Sequence, residues 1–138
     1  PFYSHKIMER PNKYGGTPYS QITSEYFNPV YFLLNQIFEY NKVDVSVIYR
    51  INLNVTFAVP AESFKKSNYH VDLDIPHQNL IIYISKFEGG ELYIKDDTEE
   101  IEVIPQEDDV ILFDGDLHHC AAPPVGMERR IIMVVNFL

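Results

Sequence analysis

The chain has no tryptophan, a single cysteine, and no apolar run approaching 18 residues. Without such a run, no segment of this sequence is expected to span a membrane as a helix. The lone Cys120 cannot close an internal disulfide, which fits a reducing compartment and sets a cytoplasmic expectation. The first ten residues, PFYSHKIMER, hold no apolar h-region, so no signal peptide is expected. Basic residues are also scarce. Eleven Lys and Arg stand against 20 Asp and Glu, a net charge of −9. The deficit is local: residues 1–50 carry +1 and residues 51–138 carry −10. An acidic body disfavours a nucleic-acid partner, and the excess serves solubility.

In 138 residues, 46% are apolar and 14% aromatic, with 10 Tyr and 9 Phe. That supports one globular domain around one sizeable core. Residues 11–24, PNKYGGTPYSQITS, are polar and turn-rich and read as a loop or candidate lid. The next stretch, 28–41, predicts a helix with Asn28 as N-cap and Pro29 at its first position. Its apolar residues Val30, Phe32, Leu33, Leu34, Ile37, Phe38 and Tyr40 suit one amphipathic helix.

From residue 43 the pattern turns to strands. In RINLNVTF (50–57), Arg50, Asn52, Asn54 and Thr56 alternate with Ile51, Leu53, Val55 and Phe57. The polar face borders either a cavity or water. Further strands are expected in YHVDL, NLIIYIS (79–85), FEGGELYI (87–94), EEIEVIP (99–105), DDVILF (109–113) and RRIIMVVNFL (129–138). NLIIYIS is apolar on both faces and so buried. DDTEE (96–100) reads as a solvated hairpin turn and Cys120 as a small core residue. Short strands punctuated by Gly, Pro and Asp predict a mostly β sandwich or barrel preceded by one helix.

The chemistry centres on His70 and Asp72, in SNYHVDLDIP. Roughly one chain in three of this composition holds an accidental His-x-Asp, so the tripeptide alone proves nothing. On a strand, both side chains share one face and can reach a common point, as metal ligation requires. Asp74 falls to the same face only if the strand continues, and Pro76 ends it soon after. A third ligand is available in LFDGDLHHCAAPP (112–124), at His118 or His119, which point to opposite faces if extended. Two histidines and a carboxylate make the facial triad of non-haem Fe(II) oxygenases. An Arg then opens the final strand, apolar beyond the arginines except for Asn136, 10 or 11 residues beyond His119. A charge there is costly unless it meets an anion, and guanidinium is the fork that grips a carboxylate.

The conjunction of HVD (70–72), YIS (83–85), GGEL (89–92), Phe113 six residues before His119, Pro123, and RR (129–130) resembles the 2-oxoglutarate/Fe(II)-dependent oxygenase superfamily. The likeness is to its prolyl-4-hydroxylase-like branch, in the manner of compact, phage-like members, and covers residues 50–138. The resemblance implies a double-stranded β-helix, a jelly-roll or cupin-like barrel. With the helix read above, the chain divides into an N-terminal segment (1–27), a helix (28–41) and a barrel core (43–138). It also implies Fe(II) held by His70, Asp72 and His119. 2-Oxoglutarate would be bound through Arg130 or Arg129 with Tyr83, and O2 would be the second cosubstrate, with ascorbate as a reductant. Arg130 is preferred, because an inward Arg130 puts Asn136 inward on the same strand face. The activity implied is hydroxylation of an unactivated C–H, with release of succinate and CO2. The branch favours a peptidyl or free amino-acid side chain. Two other readings fit the same fold: a cupin-like metalloenzyme that does not use 2-oxoglutarate, and a non-catalytic binding domain.

Overall fold

A computed structural model describes residues 2–11, 18–60, 63, 65–126 and 128–138. Its elements are β1 (Phe2–Glu9), β2 (Gln21–Ile22), α1 (Phe27–Asn41), β3 (Ile48–Phe57), β4 (Gln78–Tyr83), β5 (Leu92–Lys95), β6 (Glu100–Val103), β7 (Val110–Asp114), β8 (His118–Ala121) and β9 (Arg129–Phe137). They form a six-stranded sheet, in order β2-β1-β3-β9-β4-β7, and a three-stranded sheet, in order β6-β5-β8. All strand pairs are antiparallel. From β4 onward the chain passes repeatedly between the two sheets, which is the winding of a double-stranded β-helix.

The period of two divides β3, β4 and β9 between two environments. Ile51, Leu80, Ile82, Met133, Val135 and Phe137 face the helix and form one core with Leu34 and Phe38. Ile81, Tyr83, Phe87, Leu92, Ile94 and Phe113 form a second core between the sheets. β4 is apolar on both faces because both are covered. Leu34 and Phe38 are buried, and Phe38 packs on Phe137 with ring centroids 5.0 Å apart. Truncating either to Ala costs about 2–5 kcal/mol.

Several expectations need correction. The helix starts at Phe27, one residue before the expected 28, so Pro29 is its third residue rather than its first. The N-cap is Tyr26 rather than Asn28, and no side chain among the described residues caps the helix. Pro29 is harmless there, because first-turn N–H groups have no partner within the helix. Only part of the expected apolar face is buried. Leu34 and Phe38 lie in the core with Phe27, Val30 and Ile37 beside them, whereas Phe32, Leu33 and Tyr40 are exposed. The helix contacts the sheet through one i, i+4 stripe, too narrow for all seven residues. The segment 1–27 is not merely a prelude to the barrel. β1 pairs with β3 from Phe2↔Thr56 to Met8↔Ile51, extending the large sheet. Of the candidate lid at 11–24, residues 12–17 lie outside the described residues; Gln21 and Ile22 are β2. YHVDL is not a strand: it makes one isolated bridge, His70↔His119. DDTEE does lie at the β5–β6 connection, where the Asp96 carboxylate accepts the backbone N–H groups of Thr98 and Glu99. No helix among the described residues is long and apolar enough to cross a membrane.

Candidate metal centre

The isolated bridge builds the site. His70 and His119 exchange both backbone hydrogen bonds, each 3.0 Å. Directly opposed residues place their side chains together, and the two rings stand 4.5 Å apart. His119 lies on β8, whose neighbouring residues alternate faces: His118 is exposed and His119 is 7% exposed. Phe113 packs its ring against His119 at 5.1 Å. The His70 Nδ1 faces the Asn68 carbonyl at 3.0 Å, and the His119 Nδ1 faces the Leu117 carbonyl at 3.4 Å. A ring nitrogen facing a carbonyl must donate, which leaves each Nε2 as a lone-pair ligand.

Asp72 completes the cluster. One ligand atom from each of His70, Asp72 and His119 lies within 4.8 Å of the others. Metal bonds of about 2.1 Å allow ligand atoms up to ~4.2 Å apart, so a small closure would suit a metal ion. The donor set, two imidazoles and one carboxylate, matches an open non-haem iron site.

The Asp72 carboxylate is held at both oxygens. The Arg50 Nη2 lies 2.8 Å from Oδ1, and the Asn136 Nδ2 donates to Oδ2 at 3.0 Å. Asn136 also donates to the Asn79 Oδ1. Both Asn side chains are 0% exposed and stand opposite each other across β4 and β9. The Arg10 Nη1 donates to the Asp72 backbone carbonyl at 2.7 Å. Burial by itself would raise the Asp72 pKa. The Arg50 charge and the hydrogen bonds from Asn136 and Arg50 outweigh it and hold the carboxyl below its usual range. Burial lowers the His119 pKa, with Asp72 opposing and His70 assisting, which favours the neutral imidazole that ligation needs.

The cluster opens into a cavity of about 580 Å3. Arg130 lies in its wall, opposite Thr56 and six residues along β9 from Asn136. It is 4% exposed; Arg129 is exposed, with its backbone carbonyl held by the Ser85 hydroxyl. The Arg130 Nη1 donates to the carbonyls of Gly90 (2.7 Å) and Ala122 (3.1 Å), but its buried Nε–H has no partner among the described residues. Gly90 has φ +72°, which favours glycine, and a Cβ there would sit 2.9 Å from that Nη1 and displace the guanidinium. Tyr83 lines the same cavity, stacked on Phe87 at 5.6 Å. Burial pushes its pKa up to about 12 against the Arg130 charge, so its hydroxyl stays protonated. A buried guanidinium with an unfilled donor beside a phenol is a fitting receptor for a carboxylate.

The structure therefore brings His70, Asp72 and His119 together at one end of the cavity, and Arg130 and Tyr83 line its wall. Arg129 lies outside it. Val71 is 37% exposed, and the Tyr69 hydroxyl binds Glu100 on the surface. The polar face of β3 lines the cavity, not water. The Asn79–Asn136 pair, Arg50 against Asp72, and Arg10 were not expected as supports of the site. The only signal for the first was an isolated Asn in each of two apolar strands; Arg10 had none.

No protein-family model matches the chain. No curated protein matches it either. Solved structures do. An oxidoreductase of the 2OG-Fe(II) oxygenase family from Burkholderia pseudomallei superposes with a TM-score of 0.78 at 16% identity, covering 99% of this chain and 65% of that one. AviO1 from Streptomyces viridochromogenes Tue57 gives 0.57 at 17%, over 93% of this chain and 71% of that one. A prolyl-4-hydroxylase from Pseudomonas putida gives 0.55 at 13%, over 97% and 68%. These likenesses are of fold, and the chain spans less than two thirds of the Burkholderia protein. Its fold is the double-stranded β-helix of 2-oxoglutarate/Fe(II) oxygenases.

Proposed function

We propose that the chain is an Fe(II)- and 2-oxoglutarate-dependent dioxygenase that hydroxylates an unactivated C–H of a small-molecule or peptidyl substrate. One observation carries the reading. A His, Asp and His cluster shares its cavity with a tyrosine and a buried arginine whose Nε–H has no partner among the described residues. His70, Asp72 and His119 would hold the iron. Arg130 and Tyr83 would receive the far carboxylate of 2-oxoglutarate. When bound, iron and 2-oxoglutarate supply the oxidising chemistry, consuming O2 and releasing succinate and CO2.

The chain's own residues set the conditions. Arg50 and Asn136 keep Asp72 ionised and oriented, so a metal meets a ready carboxylate. The two carbonyl-facing Nδ1 atoms present both imidazoles through Nε2. Ile81, Ile132 and Val134 give the cavity an apolar floor that limits water between the metal end and Arg130.

Anaerobic addition of Fe(II), ascorbate and 2-oxoglutarate is expected to give a weak visible metal-to-ligand charge-transfer band, and admission of O2 to give succinate. The band should vanish in His70→Ala, Asp72→Ala and Arg130→Ala and persist in Arg129→Ala and Asp74→Ala. Metal binding without any band would reject the 2-oxoglutarate reading in favour of a cupin-like metalloenzyme.

A further inference from the structure

Asp72 has two partners of unlike charge. The Asn136 Nδ2 gives its Oδ2 a neutral hydrogen bond, and the Arg50 Nη2 gives its Oδ1 a charged one at 2.8 Å. Arg50 and Asn136 stand opposite each other across β3 and β9, so one register delivers both. Orienting a carboxylate needs only hydrogen-bond donors, and an uncharged side chain already supplies one. What Arg50 adds is a full positive charge. Its side chain is 16% exposed and that of Asp72 11%, so water screens this charge little.

Oδ1 is also placed to meet a metal. It lies 3.9 Å from the His70 Nε2, within the ~4.2 Å that two metal bonds of about 2.1 Å can span. A carboxylate oxygen has two lone pairs, so it can serve Arg50 and a metal together. A metal bonded to Oδ1 would then lie within about 5 Å of the Arg50 Nη2. In the metal-free chain the guanidinium offsets the charge of Asp72. With a divalent ion on Asp72 that charge is already more than offset, and the guanidinium is surplus. The rest of the cavity wall offers no second acid. Among the described residues its lining holds Arg50, Lys65 and Arg130 against Asp72 alone. Imidazole ligands are neutral when bound and contribute no negative charge. The surroundings therefore oppose every further positive charge on the metal, and a cation within ~5 Å opposes it strongly even at a dielectric near 20.

Resting on the dioxygenase reading, we propose that Arg50 sets the oxidation state of the resting iron: seated on the Asp72 carboxylate, it favours Fe(II) over Fe(III). Loss of one electron from the metal would raise its charge beside a fixed cation. Arg50 is on this account a positioning residue whose contribution is its charge and not its hydrogen bond, and it keeps the site in the ferrous state that the proposed activity needs.

The full chain is loaded with Fe(II) anaerobically, and the Fe(III)/Fe(II) potential is read by mediated redox titration, following the EPR signal of high-spin Fe(III). Both oxidation states use the same three ligands, so poorer orientation of Asp72 weakens both and largely cancels in the potential. A lost charge does not cancel. Arg50→Gln keeps a hydrogen-bond donor and loses the charge. It should favour Fe(III) at least tenfold more than wild type does, a fall of at least about 59 mV for a one-electron couple. Arg50→Lys keeps the charge and should stay within threefold of wild type. So should Arg129→Gln, whose side chain lies outside the cavity. If Arg50→Gln holds no iron, Asn52→Asp replaces it, with the Arg50–Asp72 pair in place. Asn52 shares the strand face of Arg50 and lines the same cavity, so a carboxylate there should favour Fe(III) at least threefold. A potential within threefold of wild type in Arg50→Gln, or in Asn52→Asp where that variant stands in, overturns the proposal. Arg50→Lys falling as far as Arg50→Gln overturns it too, because charge would then not be the cause. A wild-type chain that binds neither Zn(II) nor Fe(II) strikes the dioxygenase reading itself, and the proposal with it.

Discussion

Asn136→Ala should damage stability and metal binding by separable routes. Asn136 is completely buried and donates to both the Asp72 Oδ2 and the Asn79 Oδ1. Losing a hydrogen bond to an ionised carboxylate costs about 1.5–3 kcal/mol, and leaving the Asn79 carboxamide unsatisfied costs about 1–3 more. The sum, about 2.5–6 kcal/mol, is a large part of the ~5–15 kcal/mol that holds a domain folded. Separately, Asp72 keeps only its Arg50 contact and can rotate. Loss of a supporting hydrogen bond to a metal ligand costs about 10–100-fold in affinity, or about 1.4–2.7 kcal/mol. Urea unfolding reads the first effect, and Zn(II) titration calorimetry on the folded protein reads the second. The double variant Asn79→Leu/Asn136→Leu separates them. It leaves no orphaned amide, so it should recover much of the stability while metal affinity stays low. Metal affinity within twofold of wild type in either variant refutes the reasoning, because Asn136 would then only fill space.

Gly90→Ala should cost about 1–2 kcal/mol for its left-handed backbone alone. Through the 2.9 Å approach to Arg130 it should also weaken 2-oxoglutarate binding more than tenfold with metal affinity intact; equal loss of both would mean the turn merely unfolds. The metal-free protein should lose stability on acidification in two windows. His119 has a depressed folded pKa, so its contribution is complete above the ordinary histidine value of about 6.5 and falls away below it. The Asp72 pKa is also depressed, so its contribution is complete above about 3.9 and is lost as pH falls through the lower folded value. Urea midpoints across pH 3–8 should show both steps, the upper flattened in His119→Gln and the lower in Asp72→Asn. A wild-type midpoint that rises between pH 7 and 5 contradicts this.

Much of the arrangement was legible because it is periodic. Strict alternation in 50–57 assigned two faces to β3. Strand parity in 129–138 linked an inward Arg130 to an inward Asn136, and both are buried while Arg129 is exposed. His118 and His119 were separated by the same rule. The N-terminal strand escaped notice: only one of its eight residues is buried, so it carries no alternation to read. The proline does not mark the helix start, because Pro29 is tolerated throughout a first turn, not only at its first position.

By itself the sequence determined which side chains share a strand face, because successive residues alternate whatever the surroundings. It could not determine what those faces meet. Asn79 and Asn136 lie far apart in the chain and touch only through the β4–β9 register. Arg50 reaches Asp72 only because β3 lies beside β9 at the Asn136 end. His70 meets His119 through a single bridge outside any regular strand. Periodicity is a local property of the backbone; convergence is set by register between distant segments, and only the packed sheets fix that.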